Sequence, residues 1–364
     1  MKSISEIDKN FQSQQIQKDN IKIYDIEESP FRLYGIFKPE NETEFIRIPR
    51  KTAKETSESV AMLNSHTSGG RVRFKTDSKY IALKCILPYI NLMPHLPLTG
   101  SVGFDLFADG KYLKTFIPDV ENLKEYYAHS DDRNYQMTLG YEDMIEFNDR
   151  KMRDIIINFP LYNAVNKVFL GMEDCAKVES GNEYSHKIPV VFYGSSITQG
   201  GCVSKPGNLY ASVLSRKYNF DFINLGFSGS ALAEDTIAEY ISNLEMSIFV
   251  YDYDHNAPSA THLKDTHYKM YKTVRDKHPD IPIIMASRPN MCIDEEHIIE
   301  RINIINDTVK RAKEKGDENV YFINGQDMLN SLDPNMMNVD TCHPNDFGSY
   351  CMAQAFGKII EKLL

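Results

Sequence analysis

Ile188-Pro189-Val190-Val191-Phe192-Tyr193-Gly194-Ser195-Ser196-Ile197-Thr198 is the stretch that decides the fold of this 364-residue chain. The apolar run ending at Tyr193 has the length and β-branched content of a strand buried on both faces. It breaks at once into small and hydroxyl residues suited to a turn that opens a helix. Helical patterning follows over 208–218, then a strand over 221–225, a helix over 232–244 and a strand over 247–251. The alternation continues through 264–277, 283–286, 296–313 and 320–323, and 346–364 closes the chain as a helix. Strands alternating with helices through short links predict an α/β fold: a parallel sheet flanked by helices on both faces.

Upstream of this region the period changes. Arg71-Val72-Arg73-Phe74-Lys75 alternates polar and apolar, Asp77-Ser78 turns, and 80–87 is an apolar run. Val102, Phe104 and Leu106 share one strand face, and Asp109-Gly110 suits the positive-φ positions of a tight hairpin before 112–117 returns. Further strands are expected at 153–159 and 167–170, and a short helix at 56–63. Short strands at this spacing predict an antiparallel β-sandwich. The chain therefore divides into a first domain, 1–180, and a second, 186–364, with the polar stretch 178–186 as the linker.

Composition bounds the function. A net charge of -10 and a pI near 5.5 argue against nucleic acid or an anionic membrane as partner, since both reward a basic face. No run approaches the roughly 18 apolar residues of a membrane helix. Residues 1–20 are polar and charged, unlike a secretory signal. The six cysteines, scattered without a Cys-x-x-Cys pair, read as reduced thiols and so as cytoplasmic residence. His262 and His267 lack a cysteine or carboxylate to complete a metal cluster, and Gly200-Gly201 lacks the Lys-Ser/Thr of a phosphate loop. No metal or organic cofactor is expected.

Ser196 lies where the first strand of the parallel sheet gives way to a helix. A serine there is exposed among unpaired backbone N–H groups, at the end of the sheet where ligands collect. Asp340-Thr341-Cys342-His343-Pro344-Asn345 places a carboxylate one turn before an imidazole, a pair whose carboxylate can hold Nδ1–H and whose Nε2 can take a proton from a serine brought beside it. Pro344 is expected in the first turn of the closing helix. Ser228 and Ser230 are rival serines on a Gly-rich turn, without the context of Ser196. His255 is expected on an exposed loop, and Cys342 in packing.

Gly194-Ser195-Ser196-Ile197-Thr198 resembles the first block of the SGNH (GDSL-like) hydrolases, Gly-Asp-Ser-Leu/Ile-Thr/Val, with Ser195 in place of the Asp. Asn224-Leu225-Gly226-Phe227-Ser228-Gly229-Ser230 is similar to the second block. In Tyr253-Asp254-His255-Asn256-Ala257-Pro258, Asn256 takes the place of the third-block Asn, without the Gly and Asp that flank it in the family. Asp340 to His343 matches the last block, Asp-x-x-His. The resemblance implies a flavodoxin-like hydrolase domain with Ser196 as nucleophile, His343 as base and Asp340 as its partner. It further implies an oxyanion hole from Ser196 N–H, Gly229 N–H and the Asn256 side chain.

Ser68-Gly69-Gly70-Arg71-Val72-Arg73-Phe74, Leu98-Thr99-Gly100-Ser101-Val102-Gly103-Phe104-Asp105 and Pro160-Leu161-Tyr162-Asn163 resemble the jelly-roll-like sandwich that precedes the hydrolase domain in a bacterial subset of the class. Related two-domain esterases include ones that remove acetyl groups from carbohydrates. A short-chain O-acetylesterase with a small-molecule or oligosaccharide ester as partner is therefore expected, with homo-oligomerisation left open. Two alternatives stand beside it: an acylhydrolase or thioesterase for longer acyl chains, and a carbohydrate-binding protein with a weakened site.

Overall fold

The computed structural model describes residues 16–119, 123–124, 128, 140–289, 295–328 and 333–364, so most of the polar segment 1–20 lies outside the described residues. The first half is built from two antiparallel sheets. One runs β1 (Ile21–Asp25), β9 (Lys167–Glu173), β4 (Tyr80–Ile86), β7 (Gly140–Glu146). The other runs β10 (Val178–Ser180), β3 (Arg71–Thr76), β8 (Arg153–Asn158), β5 (Phe104–Ala108), β6 (Lys111–Phe116), with β2 (Arg32–Tyr34) also on β3. Inward residues of both sheets, among them Val72, Phe74, Ile81, Leu83, Leu106, Ile157 and Leu170, share one buried core. Asp109 and Gly110 both take positive φ (51° and 77°), as the β5–β6 hairpin turn demands.

The second half is a five-stranded parallel sheet in the order β12 (Phe220–Gly226), β11 (His186–Gly194), β13 (Ile248–Asp252), β14 (Ile283–Ala286), β15 (Val320–Ile323). Read in chain order this is 2-1-3-4-5, the flavodoxin-like arrangement, with its crevice where the connections reverse direction beside β11. The apolar strand residues alternate between two layers. Val191, Tyr193, Phe249 and Tyr251 face α6 (Asp235–Ser242), α7 (Ala260–Lys277) and α8 (Glu295–Glu314). Val190, Phe192, Ile248 and Val250 face α5 (Tyr210–Tyr218) and α9 (Asp346–Leu363). Burial on both faces is why these strands read as unbroken apolar runs. Among the described residues no helix is long and apolar enough to cross a membrane.

The helix expected at 56–63 is a pair, α1 (Arg50–Thr56) and α2 (Glu58–Leu63), separated by Ser57, whose hydroxyl caps α2 through Val60 N–H. Ala53, Val60 and Leu63 of this pair pack into the apolar layer of α6 and α7, within the second half of the molecule. The stretch 178–186 is not a free linker. Val178–Ser180 pairs with β3, Asn182 N–H donates to Asp154 (3.0 Å), and Arg71 Nε donates to the Tyr184 hydroxyl (2.8 Å). The alternating β3 strand buries its polar members as well: Arg71 and Arg73 are 2% and 3% exposed.

Their burial follows from how the halves join. β12 is the edge of the parallel sheet, and an uncovered edge leaves a row of unpaired backbone groups. Alternate residues of a parallel strand present their carbonyls to the same side, and here Phe222, Asn224 and Gly226 face the first half. Arg71 Nη1 donates to Phe222 O (3.1 Å) while its Nη2 pairs with Asp221. Arg47 Nη1 donates to Asn224 O (3.2 Å) and Gly226 O (2.5 Å), and its Nη2 to Leu63 O (2.7 Å). The Arg47 guanidinium also lies over the Phe227 ring at 4.4 Å, and burial pushes it down to about 9.

Arg47→Met keeps the volume and removes the donors. Each carbonyl left unpaired costs about 1–3 kcal/mol, and each kcal/mol moves the midpoint of a domain this size by about 2–4 °C. Thermal unfolding followed by circular dichroism is expected to show a midpoint several degrees lower.

Candidate active site

The first residue of α4 (Ser196–Gln199) follows β11 without a connecting loop, and this places Ser196 at the carboxyl end of the sheet beside the crevice. Ser195, at the position of the family's Asp, is the N-cap: its hydroxyl accepts from Ile197 N–H at 3.2 Å. The replacement thus leaves a short polar acceptor where a helix start needs one. Ser196 itself is 8% exposed, and its Oγ lies 2.8 Å from His343 Nε2.

His343 comes from the far end of the chain. Asp340 Oδ2 meets His343 Nδ1 at 2.7 Å, and Asp340 Oδ1 accepts from the backbone N–H of both Cys342 (3.1 Å) and His343 (2.7 Å). One carboxylate therefore fixes the imidazole and the turn that carries it. Thr341, between them, takes φ 66°, a left-handed conformation that non-glycine residues adopt only when the surroundings enforce it. Partial burial pulls the Asp340 carboxyl up, but the hydrogen bonds from His343 and its charge outweigh this and hold it below the usual carboxylate range. Pro344 does not enter the helix, as the sequence suggested. It precedes the cap Asn345, whose side chain accepts from Phe347 and Gly348 N–H, and α9 starts at Asp346.

The loops after β11, β12 and β13 are tied to one another around Ser196. Asn224 Nδ2 donates to Thr198 O (2.7 Å), Ser228 N–H to Gln199 Oε1 (2.9 Å), and Asn256 Nδ2 to Phe227 O (2.9 Å). The Thr198 hydroxyl donates to Asp252 at the end of β13. Burial pushes that carboxyl up to about 7. Gly229 has φ 65° and an exposed, open position, so its glycine answers a backbone need rather than a steric one. Among the described residues the N–H groups of Ser196 and Gly229 have no hydrogen-bond partner, which leaves both available to an incoming oxygen. The Ser230 hydroxyl turns back to Ser228 O (3.1 Å), away from any base.

Several contributors were invisible in the sequence. Gly201 sits where an added Cβ would come within 2.9 Å of His343 Cδ2, 3.1 Å of Ser196 O and 3.2 Å of Tyr162 Oη. Tyr162 donates to Ser196 O (3.2 Å), and His95 places its ring 5.8 Å from that of His343, so the first half supplies two side chains to this corner. The nearest chemical rival to the serine is Cys202, but burial pushes its thiol up to about 12, so it stays protonated. Burial, reinforced by the charges of Arg288 and His343, lowers His255 to about 3 and keeps that ring neutral. It is half-buried against Cys342 (Sγ to Nε2 3.8 Å), not on an open loop. His267 is fully packed, bonded to Thr308 Oγ1 at 2.9 Å, and His262 faces Leu232 O at 2.9 Å, so these two histidines are structural.

A serine on the strand-to-helix turn, hydrogen-bonded to a histidine–carboxylate pair at the switch point of a flavodoxin-like sheet, is the arrangement of an SGNH-type hydrolase. The comparisons agree. Residues 187–361 match the GDSL-like lipase/acylhydrolase family, and residues 21–178 match the N-terminal domain of SGNH hydrolase-type esterases. The chain belongs to this two-domain GDSL-like (SGNH) family and is a carboxylic ester hydrolase. A crystal structure of a GDSL-like lipase candidate from Bacteroides ovatus is similar at 27% identity and a TM-score of 0.80, covering 94% of this chain and 98% of that one. A salicylyl-acyltransferase from a tetracycline biosynthetic pathway shares the fold at 15% identity and a TM-score of 0.75, covering 95% and 98%. An acetyl xylan esterase from the rumen bacterium Butyrivibrio proteoclasticus does so at 12% identity and a TM-score of 0.57, covering 94% and 98%. No curated protein matches the chain.

The close approach at Gly201 gives a direct test of the geometry. Gly201→Ala pushes the His343 ring off the Ser196 hydroxyl, and a displacement of about 1 Å costs up to about 10²-fold in rate. Steady-state kinetics on a model ester are expected to show a fall in kcat with the circular dichroism spectrum unchanged.

Proposed function

We propose that the chain is a serine O-acetylesterase acting on an acetylated carbohydrate, with Ser196 as nucleophile, His343 as general base and Asp340 as the group that orients it. The observation that carries this reading is the unbroken hydrogen-bond path from Ser196 Oγ through the imidazole to Asp340, at 2.8 Å and 2.7 Å. Ser196 attacks the ester carbonyl as Nε2 takes its proton. The tetrahedral oxyanion is received by the N–H groups of Ser196 and Gly229 and by the second amide hydrogen of Asn256, whose first is committed to Phe227 O. Collapse expels the sugar hydroxyl with the proton returned from His343, and water repeats the cycle on the acyl-enzyme. Asp340 keeps Nδ1 protonated, so Nε2 is free to accept, and it stabilises the imidazolium.

A short acyl group and a sugar are supported by the comparisons. One similar structure is an acetyl xylan esterase, and another, a family two carbohydrate esterase from Clostridium thermocellum, was solved with cellohexaose. The first half stands beside the nucleophile through Tyr162 and His95, where it would meet the alcohol side of the ester.

Hydrolysis of p-nitrophenyl esters from acetyl to long-chain acyl, followed by release from acetylated oligosaccharides, tests the proposal. The expected outcome is acetate cleavage that falls with chain length and disappears in Ser196→Ala. A rate that rises with chain length assigns the site to longer acyl groups, and no Ser196-dependent turnover on any ester sinks the assignment of the nucleophile. In the same assay Asn256→Ala is expected to lower kcat by about 10²–10³, the usual cost of one oxyanion donor, with KM little changed.

A further inference from the structure

One cluster at this corner joins the His343–Asp340 pair to two side chains that the reaction does not use, His95 and Cys202. His95, Cys202, Asp340 and His343 each bring one ligand atom to a common point, and these four atoms all lie within 4.8 Å of one another. Two imidazoles, a thiol and a carboxylate form a donor set suited to a tetrahedral, thiophilic divalent cation such as Zn²⁺. Bond lengths of about 2.0–2.3 Å to such an ion put its ligands about 3.3–3.8 Å apart. The set must therefore contract by about 1 Å at its widest. His95 can supply that movement, since it is exposed on the segment between β4 and α3 (Leu98–Ser101).

The other side of the cluster is held firmly. Cys202 is 5% exposed and takes φ 72°, a left-handed conformation that a non-glycine residue adopts at a cost. It follows Gly201, whose missing side chain lets His343 approach. The thiol is thus fixed beside the imidazole, while His95 leaves the cluster open to solvent.

We infer that His95, Cys202, Asp340 and His343 form an inhibitory site for a thiophilic divalent cation, one that removes His343 from the reaction while it is bound. This rests on the proposed role of His343, but the site itself does not. A metal on Nδ1 displaces the proton that Asp340 accepts, so the ring's remaining proton must sit on Nε2. An Nε2–H donates and cannot take the Ser196 proton. A metal on Nε2 blocks the same transfer directly. Coordination also takes the proton from the Cys202 thiol and releases it to solvent. His95 comes from the first half and the other three ligands from the second, so the bound ion would also clamp the two halves together.

The test uses the full chain stripped of metal with a chelator. Zn²⁺ is titrated against p-nitrophenyl acetate hydrolysis, and Co²⁺ is added separately without substrate to look for the near-ultraviolet thiolate-to-cobalt absorption. The expected result is inhibition reversed by chelator, with the inhibitory Zn²⁺ concentration raised by at least about tenfold in both Cys202→Ser and His95→Gln. Cys202→Ser should keep the uninhibited rate and lose the cobalt band. Equal Zn²⁺ sensitivity in the wild type and both variants, or a wild type without the cobalt band, overturns the inference. The cobalt measurement needs no turnover, so it decides the metal site even if the chain proves inactive on every ester.

Discussion

The molecule is organised around the unpaired edge of one strand. β12 pairs with β11 on one side only, and the carbonyls of Phe222, Asn224 and Gly226 need donors on the other. Another strand would extend the sheet and cover the end of β12 that carries the glycine-rich loop. Two arginines cap the carbonyls individually instead, and they end the sheet without adding to it. The cost is a guanidinium buried against backbone carbonyls, at Arg47, and one neutralised by Asp221, at Arg71. The planar fork of arginine suits this work, since one side chain reaches two or three acceptors at fixed angles.

The site inherits its geometry from that edge. Gly226 and Asn224, the residues gripped by Arg47, lead directly into the Phe227–Gly229 turn, and Asn224 also bonds Thr198 O behind the serine. From there Gln199, Asn256 and Asp252 link three strand ends into one hydrogen-bonded unit. Groups held by several bonds within a dry wall need little reorganisation when charge develops on the substrate, and that is the usual source of oxyanion stabilisation.

The parts of this arrangement that a reader of the sequence can find are those encoded over a few residues. The strand-to-turn break at Gly194-Ser195-Ser196, the Asp340–His343 spacing and the Asp109-Gly110 hairpin are local, and their chemistry dictates their spelling. Arg47, Gln199, Tyr162 and His95 act on partners far away in the chain, and nothing in their neighbours signals it. Arg71 and Arg73 are a related case. Alternation correctly separated the two faces of β3, but only the docked second half shows that the polar face is also buried. The pair α1 and α2 was half-seen because its apolar residues pack into the other half of the molecule, not the sandwich beside it. The stretch 178–186 is polar because it is anchored to the first half by hydrogen bonds, Asn182 N–H to Asp154 and the Tyr184 hydroxyl accepting from Arg71, which no local pattern reveals.

One hydrogen bond sets a schedule for the life of the chain. Ser196 and His343 are separated by 147 residues, and α9, which packs against α5 behind the serine, comes after the histidine. Until residue 343 has been made, the Ser196 hydroxyl has no imidazole beside it. Chemistry that needs the pair begins only once the segment carrying His343 has joined the sheet with α9 packed behind it. A fragment that stops short of residue 343 carries the serine without the imidazole that meets its hydroxyl, and is inert rather than a misdirected hydrolase.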